Sequence, residues 1–165
     1  MPLIDQYSRH INYLRISVTD RCDLRCVYCM KEKMEFLPKK EILTFEEIER
    51  LCDNFIEMGV KKIRLTGGEP LVRKNIIELI KILNSKKNKT NLKEITLTTN
   101  GTLLEKYAYD LKKEGVDRIN VSLDTINHNK YKKITKFGNL DKVISGIKEA
   151  KKNNIEIKIN TVVLK

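Results

Sequence analysis

Along this chain, short stretches of alternating apolar and polar residues are separated by longer ones with an apolar residue every three or four positions. Alternation with period two predicts strands over Ile11–Val18, Lys62–Thr66, Glu94–Thr98, Arg118–Leu123 and Ile155–Val163. The intervening stretches predict helices. The first opens at Thr44, where Thr44-x-x-Glu47 is a capping box, carries an apolar stripe of Phe45, Ile48, Leu51, Cys52, Phe55 and Met58, and stops at Gly59. Others are expected over Asn75–Leu83, Leu103–Glu114 and Leu140–Lys152, with a short one near His128–Ile134. Gly59–Thr66 and Gly115–Ser122 repeat one pattern of helix stop, Val, then a strand of the same phase. Strands alternating with helices in this way imply an α/β fold with a parallel sheet and right-handed crossovers.

The phase of the strands narrows the architecture. One face carries Leu14, Ile16, Val18, Ile63, Leu65, Ile95, Leu97, Ile119, Val121, Leu123, Ile157 and Ile159. The other carries Arg15, Ser17, Arg64, Thr66, Thr96, Thr98, Asn120, Ser122, Lys158 and Asn160. Parallel strands covered on both faces read as unbroken Val, Ile and Leu, and a closed eight-stranded barrel fills its lumen with such residues. A lumen of Arg, Lys, Thr, Ser and Asn does not pack that way, because unpaired buried polar groups are costly. The pattern therefore predicts an open, partial barrel with helices outside and a hydrophilic concave side; the blander reading is a polar face that meets solvent at the edge of an incomplete fold. Arg15, Arg64 and Lys158 share the polar face, and an anion between them would relieve their mutual repulsion. A phosphorylated substrate is the expectation, against the default of a structural ion pair for each cation.

The chain has 165 residues and a net charge of +11. Its lysines are spread over the expected helix surfaces, with no Arg-rich run and no aromatic residues interleaved with basic ones, so a nucleic-acid partner is not expected. No apolar run approaches the ~20 residues that span a bilayer. The first residues lack both a basic leader and an apolar signal core, which favours a cytoplasmic protein without a membrane partner.

Chemistry concentrates in Cys22, Cys26 and Cys29, a C-x3-C-x2-C motif in the loop after the first strand. The C-terminal ends of strands are where barrel active sites are built. A structural zinc site closes with four ligands, and iron–sulfur clusters are usually held by four cysteines. Three local ligands leave one coordination position open. The fourth cysteine, Cys52, lies on an apolar stripe and is expected in the core; as a fourth ligand it would instead make a zinc-stabilised binding module without catalysis.

This spacing, with Tyr28 before the last cysteine and Gly67-Gly68-Glu69-Pro70 after the second strand, resembles the radical S-adenosylmethionine (SAM) superfamily. Within it, Leu14–Cys22, Lys62–Leu71, Leu97–Gly101 and Arg118–Asp124 are similar to the GTP 3′,8-cyclase family of molybdenum cofactor biosynthesis, along essentially the whole chain. The resemblance implies a partial (β/α) barrel of the radical SAM type with about five βα units present and the sixth missing, residues 1–165 forming an incomplete core domain. It implies that Cys22, Cys26 and Cys29 hold a [4Fe-4S] cluster whose fourth iron is chelated by SAM. Tyr28, Gly68 and Ser122 would contact SAM, and Arg15, Arg64, Thr98 and Lys158 would contact GTP. The implied lyase reaction starts with reductive cleavage of SAM to a 5′-deoxyadenosyl radical. That radical takes the C3′ hydrogen of GTP, and the C3′ radical attacks C8 of guanine. An electron donor such as flavodoxin or ferredoxin is implied, and a homodimer of the full-length protein is compatible. In the family the chain continues into a sixth strand and a region holding a second [4Fe-4S] cluster, so this fragment alone is expected to be inactive. A radical SAM enzyme with a different anionic substrate is the alternative within the same chemistry.

Overall fold

The structure is a computed structural model that describes residues 3–163. Five strands form one parallel sheet in the order β1-β2-β3-β4-β5: β1 (Tyr13–Ser17), β2 (Lys62–Thr66), β3 (Glu94–Thr99), β4 (Arg118–Ser122) and β5 (Glu156–Asn160). Helices α1 (Phe45–Glu57), α2 (Ile76–Lys87), α3 (Leu104–Lys113), α4 (His128–Thr135) and α5 (Leu140–Lys152) occupy the crossovers. The sequence order of strands equals their spatial order, as in a barrel that winds in one direction.

Local signals set most of the helix ends. Thr44 caps α1 with the full reciprocal box: its hydroxyl accepts from Glu47 N, and the Glu47 carboxylate accepts from Thr44 N. Asn139 caps α5, accepting from Asp141 N and Lys142 N. Gly59 and Gly115 stand past α1 and α3 with φ of 102° and 85°, where a side chain would be strained. The second helix runs to Lys87 rather than stopping at Leu83, because polar Asn84–Lys87 continue the turn without needing burial.

The outer strands are shorter than the alternation predicts. β1 begins at Tyr13, not Ile11, and β5 ends at Asn160, so Thr161–Val163 are not strand. Alternation marks a preference for extended backbone, but pairing decides where a ladder ends. The phase assignment holds. Ile63, Leu65, Ile95, Leu97, Ile119 and Val121 are fully buried beneath the helices, packed with Ile48, Cys52, Leu79, Ile80, Leu83, Ala108, Leu111 and Val143. Each large aliphatic side chain so buried contributes about 1.5–3 kcal/mol. Ile159 departs from the pattern. It lies on the edge strand and is 43% exposed.

The polar set lines the other face in rows. Register pairs Arg15 with Arg64, Arg64 with Thr96, Thr96 with Arg118, and Arg118 with Glu156. Nearer the C-terminal ends, Ser17 pairs with Thr66, Thr98 with Asn120, and Asn120 with Lys158. Ser122 and Asn160 are opposite one another at the top.

Candidate functional site

The concave face has two zones. At the N-terminal ends of the strands, charges neutralise one another: Lys62 Nζ lies 2.6 Å from Glu94, and Arg118 bridges Glu94 at 3.6 Å and Glu156 at 3.7 Å. Sequence phase alone gives these residues the same face as Arg15, but not this network, which consumes Arg118. Further up, polarity is left unspent. Thr98 Oγ1 and Asn120 Oδ1, neighbours in register, are buried without a hydrogen-bond partner among the described residues. Orphaned polar atoms of this kind call for a partner, whether water or a polar ligand; Arg118 Nε in the lower zone is another. Arg64 donates from Nε to Thr96 Oγ1 (3.1 Å), with its guanidinium 5.5 Å over the Tyr13 ring. Among the described residues neither Arg15, Arg64 nor Lys158 forms an ion pair. Arg15 and Arg64 face each other on β1 and β2; Lys158 stands on β5, one row higher and beside Asn120. The three cations thus flank the polar face from the β1–β2 side and the β5 edge, with Thr98 and Asn120 between them.

The cysteine loop follows β1. Cys22 and Cys26 are half-buried and Cys29 is exposed; all are free thiols. One tight turn, in which Cys29 N and Met30 N donate to Cys26 O at 2.8 and 3.1 Å, brings Cys26 and Cys29 close. The same segment leans on the end of α4, Arg25 N donating to Thr135 O and Val27 N to Ile134 O. Burial, followed by the neighbouring Cys22 and Cys29, pushes the Cys26 thiol up to about 11. Among the described residues no three His, Cys, Asp or Glu side chains are gathered so as to hold a metal ion. The sulfurs are electrostatic neighbours without sharing a focus. As a donor set, three thiols on one loop at a strand's C-terminal end suit an iron–sulfur cluster with one free corner. Cys52 is not among them: it is fully buried on α1, as its apolar stripe predicts.

The Gly67-Gly68-Glu69 turn lies flush against the start of this loop. Gly68 N donates to Thr19 O and Glu69 N to Arg21 O, both at 2.7 Å. A Cβ on Gly67 would stand 2.3 Å from Thr19 O, and one on Gly68 2.3 Å from Arg21 O. Glu69, 1% exposed, accepts from Leu71 N (3.0 Å), Thr99 Oγ1 (2.8 Å) and Asn100 N (2.6 Å). Tyr28 donates its hydroxyl to Asp124 Oδ2 at 2.6 Å, and Asp124 Oδ1 accepts from Val162 N. Burial and the Asp124 carboxylate raise the Tyr28 phenol. Ser122 is half-buried at the end of β4, two residues from Asp124. Sequence reasoning missed Asn100, Asp124 and the side chain of Glu69, whose partners are distant along the chain.

Burial pushes Glu69 up to about 7, against the pull of its three donors. The unfolded chain releases this proton near 4.5, so between 4.5 and about 7 the folded state binds more protons. Its contribution to stability is therefore greatest below that window and is lost as pH rises through it. Thermal melts should show the transition temperature falling between about pH 5 and pH 7.5. Glu69→Gln should flatten this slope. It should also lower stability by about 1–3 kcal/mol, because its NH2 or its single oxygen leaves a donor unpaired. An unchanged slope in Glu69→Gln would assign the pH dependence elsewhere.

The Radical SAM superfamily profile matches residues 16–165. The chain is 58% identical over 164 residues to the GTP 3′,8-cyclase of Rhizobium etli and 57% identical to that of Brucella ovis, in each case over 99% of this chain. It covers 47% and 48% of those proteins, and so spans about half the length of the curated relatives it matches. Among solved structures, Streptococcus suis SuiB bound to S-adenosylmethionine superposes with a TM-score of 0.78 at 24% identity, over 93% of this chain and 34% of that one. Native anSMEcpe with bound AdoMet superposes with a TM-score of 0.70 at 24% identity, over 89% of this chain and 42% of that one. These likenesses support the parallel half-barrel. The profile spans nearly the whole chain, and the chain belongs to the radical SAM superfamily.

Proposed function

We propose that this chain is the SAM- and GTP-binding portion of a GTP 3′,8-cyclase, acting in the cytoplasm in the first step of molybdenum cofactor biosynthesis. One observation carries the reading: a three-cysteine loop and a glycine turn, bonded backbone to backbone, stand at the C-terminal ends of strands whose polar face bears cations and buried polar atoms that have no partner among the described residues. The high identity to relatives of that name supports it.

In this reading Cys22, Cys26 and Cys29 hold a [4Fe-4S] cluster. Gly68 offers backbone to the methionine end of SAM, while Tyr28 and Ser122 flank the rest of that molecule. Arg15, Arg64 and Lys158 neutralise the triphosphate, and Thr98 uses its free hydroxyl on the nucleotide. When bound, the cluster and SAM supply, after one electron from a flavodoxin- or ferredoxin-like donor, the 5′-deoxyadenosyl radical that takes hydrogen from C3′ of GTP. The chain's own part is to hold C3′ toward that radical and to keep water and other hydrogen donors away. A second cluster, the sixth strand and any dimer contact would come from the remainder of a protein of the relatives' length. We therefore expect residues 1–165 to bind the first cluster without turning GTP over.

Binding is accordingly the quantity to test. Calorimetric titration of the anaerobically reconstituted protein with GTP should show affinity falling at least tenfold in Arg64→Ala and in Arg15→Ala, with a shallower salt dependence than in the parent. GTP binding that is indifferent to both substitutions would overturn the substrate assignment. Tight binding of a peptide in its place would favour another anionic substrate.

A further inference from the structure

We propose that Asp23, Asn100 and Thr102 form a brace that fixes the Cys22 thiol relative to the Gly67-Gly68-Glu69 turn. The inference rests on the reading that Cys22 ligates a cluster and that the turn receives SAM, and it adds residues which neither motif contains. The two halves of the cysteine loop are supported differently. Cys26 and Cys29 ride on a segment bonded to the end of α4 through Arg25 and Val27. Among the described residues the Cys22 side has no such backbone pairing to another element beyond Arg21; within the loop, Leu24 N donates to Cys22 Sγ at 3.4 Å and Arg25 Nη1 to Cys22 O at 2.8 Å. Its support from outside the loop comes from the carboxylate of the next residue. Asp23 Oδ1 accepts from Asn100 Nδ2 at 2.7 Å, and Asp23 Oδ2 accepts from Thr102 Oγ1 at 2.6 Å. Asn100 Oδ1 in turn accepts from Thr102 N at 2.9 Å, and Asn100 Nδ2 lies 3.8 Å from Cys22 Sγ.

Asn100 is the hinge of the brace. Its side chain reaches the cysteine loop, while its backbone N–H is held at 2.6 Å by the buried Glu69, a member of the glycine turn. The β3–α3 turn therefore touches a cluster ligand's neighbour and the SAM turn simultaneously. Short hydrogen bonds to both carboxyl groups, at 2.6–2.7 Å, give it stiffness. Partners of metal ligands commonly set ligand orientation, and a displacement of about 1 Å between reacting groups is expensive. Asp23, Asn100 and Thr102 are thus positioning residues, acting through Cys22 and Glu69.

The test uses the protein reconstituted anaerobically with iron and sulfide. Iron content, the electron paramagnetic resonance line shape of the reduced cluster, the SAM concentration that half-converts that line shape, and the melting temperature are compared. In Thr102→Val, which replaces the hydroxyl with a methyl of similar size, the half-converting SAM concentration should rise about tenfold. In Asp23→Ala it should rise further and the SAM-free line shape should change; Thr102→Ser should stay within twofold of the parent. Should Asp23→Ala fail to fold, the valine–serine pair at Thr102 decides. Midpoints within twofold of the parent in Thr102→Val, with or without a lower melting temperature, would overturn the brace and leave a structural contact. Equal impairment in Thr102→Ser and Thr102→Val would overturn it as well. A parent that takes up iron but never responds to SAM, or takes up none, overturns the proposed function itself, and the brace with it.

Discussion

Replacing Cys22, Cys26 or Cys29 singly with alanine is expected to abolish formation of a stable [4Fe-4S] cluster, whereas Cys52→Ala should load as the parent does. With three local thiolates, one loss leaves two protein ligands on a cubane whose remaining corners are open to solvent. An exposed cluster in that state is expected to shed iron. No fourth cysteine is placed to substitute: Cys52 is buried on α1 within the core, its thiol pushed up to about 12 by burial. Iron and acid-labile sulfide per chain, with the visible charge-transfer absorbance, measure the outcome. The parent should bind about four irons, the three loop variants a small fraction of that. Cys52→Ala should show full loading and a modest loss of stability from its cavity, on the order of 1 kcal/mol. Full iron loading in Cys26→Ala would overturn the three-cysteine assignment, and loss of metal in Cys52→Ala would point to the zinc module.

Gly68→Ala should have the second largest effect, and its cause is steric. The new methyl would sit 2.3 Å from Arg21 O and 2.6 Å from both Arg21 C and Asp20 O, all backbone atoms. No rotamer change relieves such a contact, so the turn must lift from the cysteine loop. Lifting breaks the Glu69 N to Arg21 O bond and strains the one from Gly68 N to Thr19 O. Overpacking of this kind costs about 1–3 kcal/mol, and the lost hydrogen bond about another 1 kcal/mol. The same displacement separates the glycine turn from the cysteine loop, so on the proposed assignment SAM affinity should fall at least a hundredfold. Gly59→Ala is the matched control. Its φ of 102° brings strain, but nothing lies within 4 Å of the new methyl. It should lose roughly 1 kcal/mol and keep SAM binding. If the two alanines behaved alike, the tight approach of the turn would not matter for the cofactor.

Much of this fold was legible because its signals are local. The Thr44–Glu47 box opened α1, Leu140–Lys152 matched its amphipathic stretch, and period-two alternation assigned both faces of every strand. The cysteine spacing and the Gly-Gly-Glu-Pro turn were equally plain, since each is a run of neighbours. Strand length was not: β1 and β5 stop where pairing stops, and an edge strand leaves Ile159 exposed despite its apolar phase.

Alternation along the chain determined which side chains share a face, because the pleat has a fixed period, and hence that the hollow side is hydrophilic. Only the tertiary structure decided which of those groups neutralise each other and which stay unspent. Register put Arg118 between Glu94 and Glu156 while leaving Thr98 Oγ1 and Asn120 Oδ1 without a hydrogen-bond partner among the described residues. The structure alone joined Glu69 to Asn100, Asn100 to Asp23, and Tyr28 to Asp124, whose hydroxyl and carboxylate are 96 residues apart in the chain. Such bonds depend on how strands stack side by side, and a one-dimensional pattern carries no term for that.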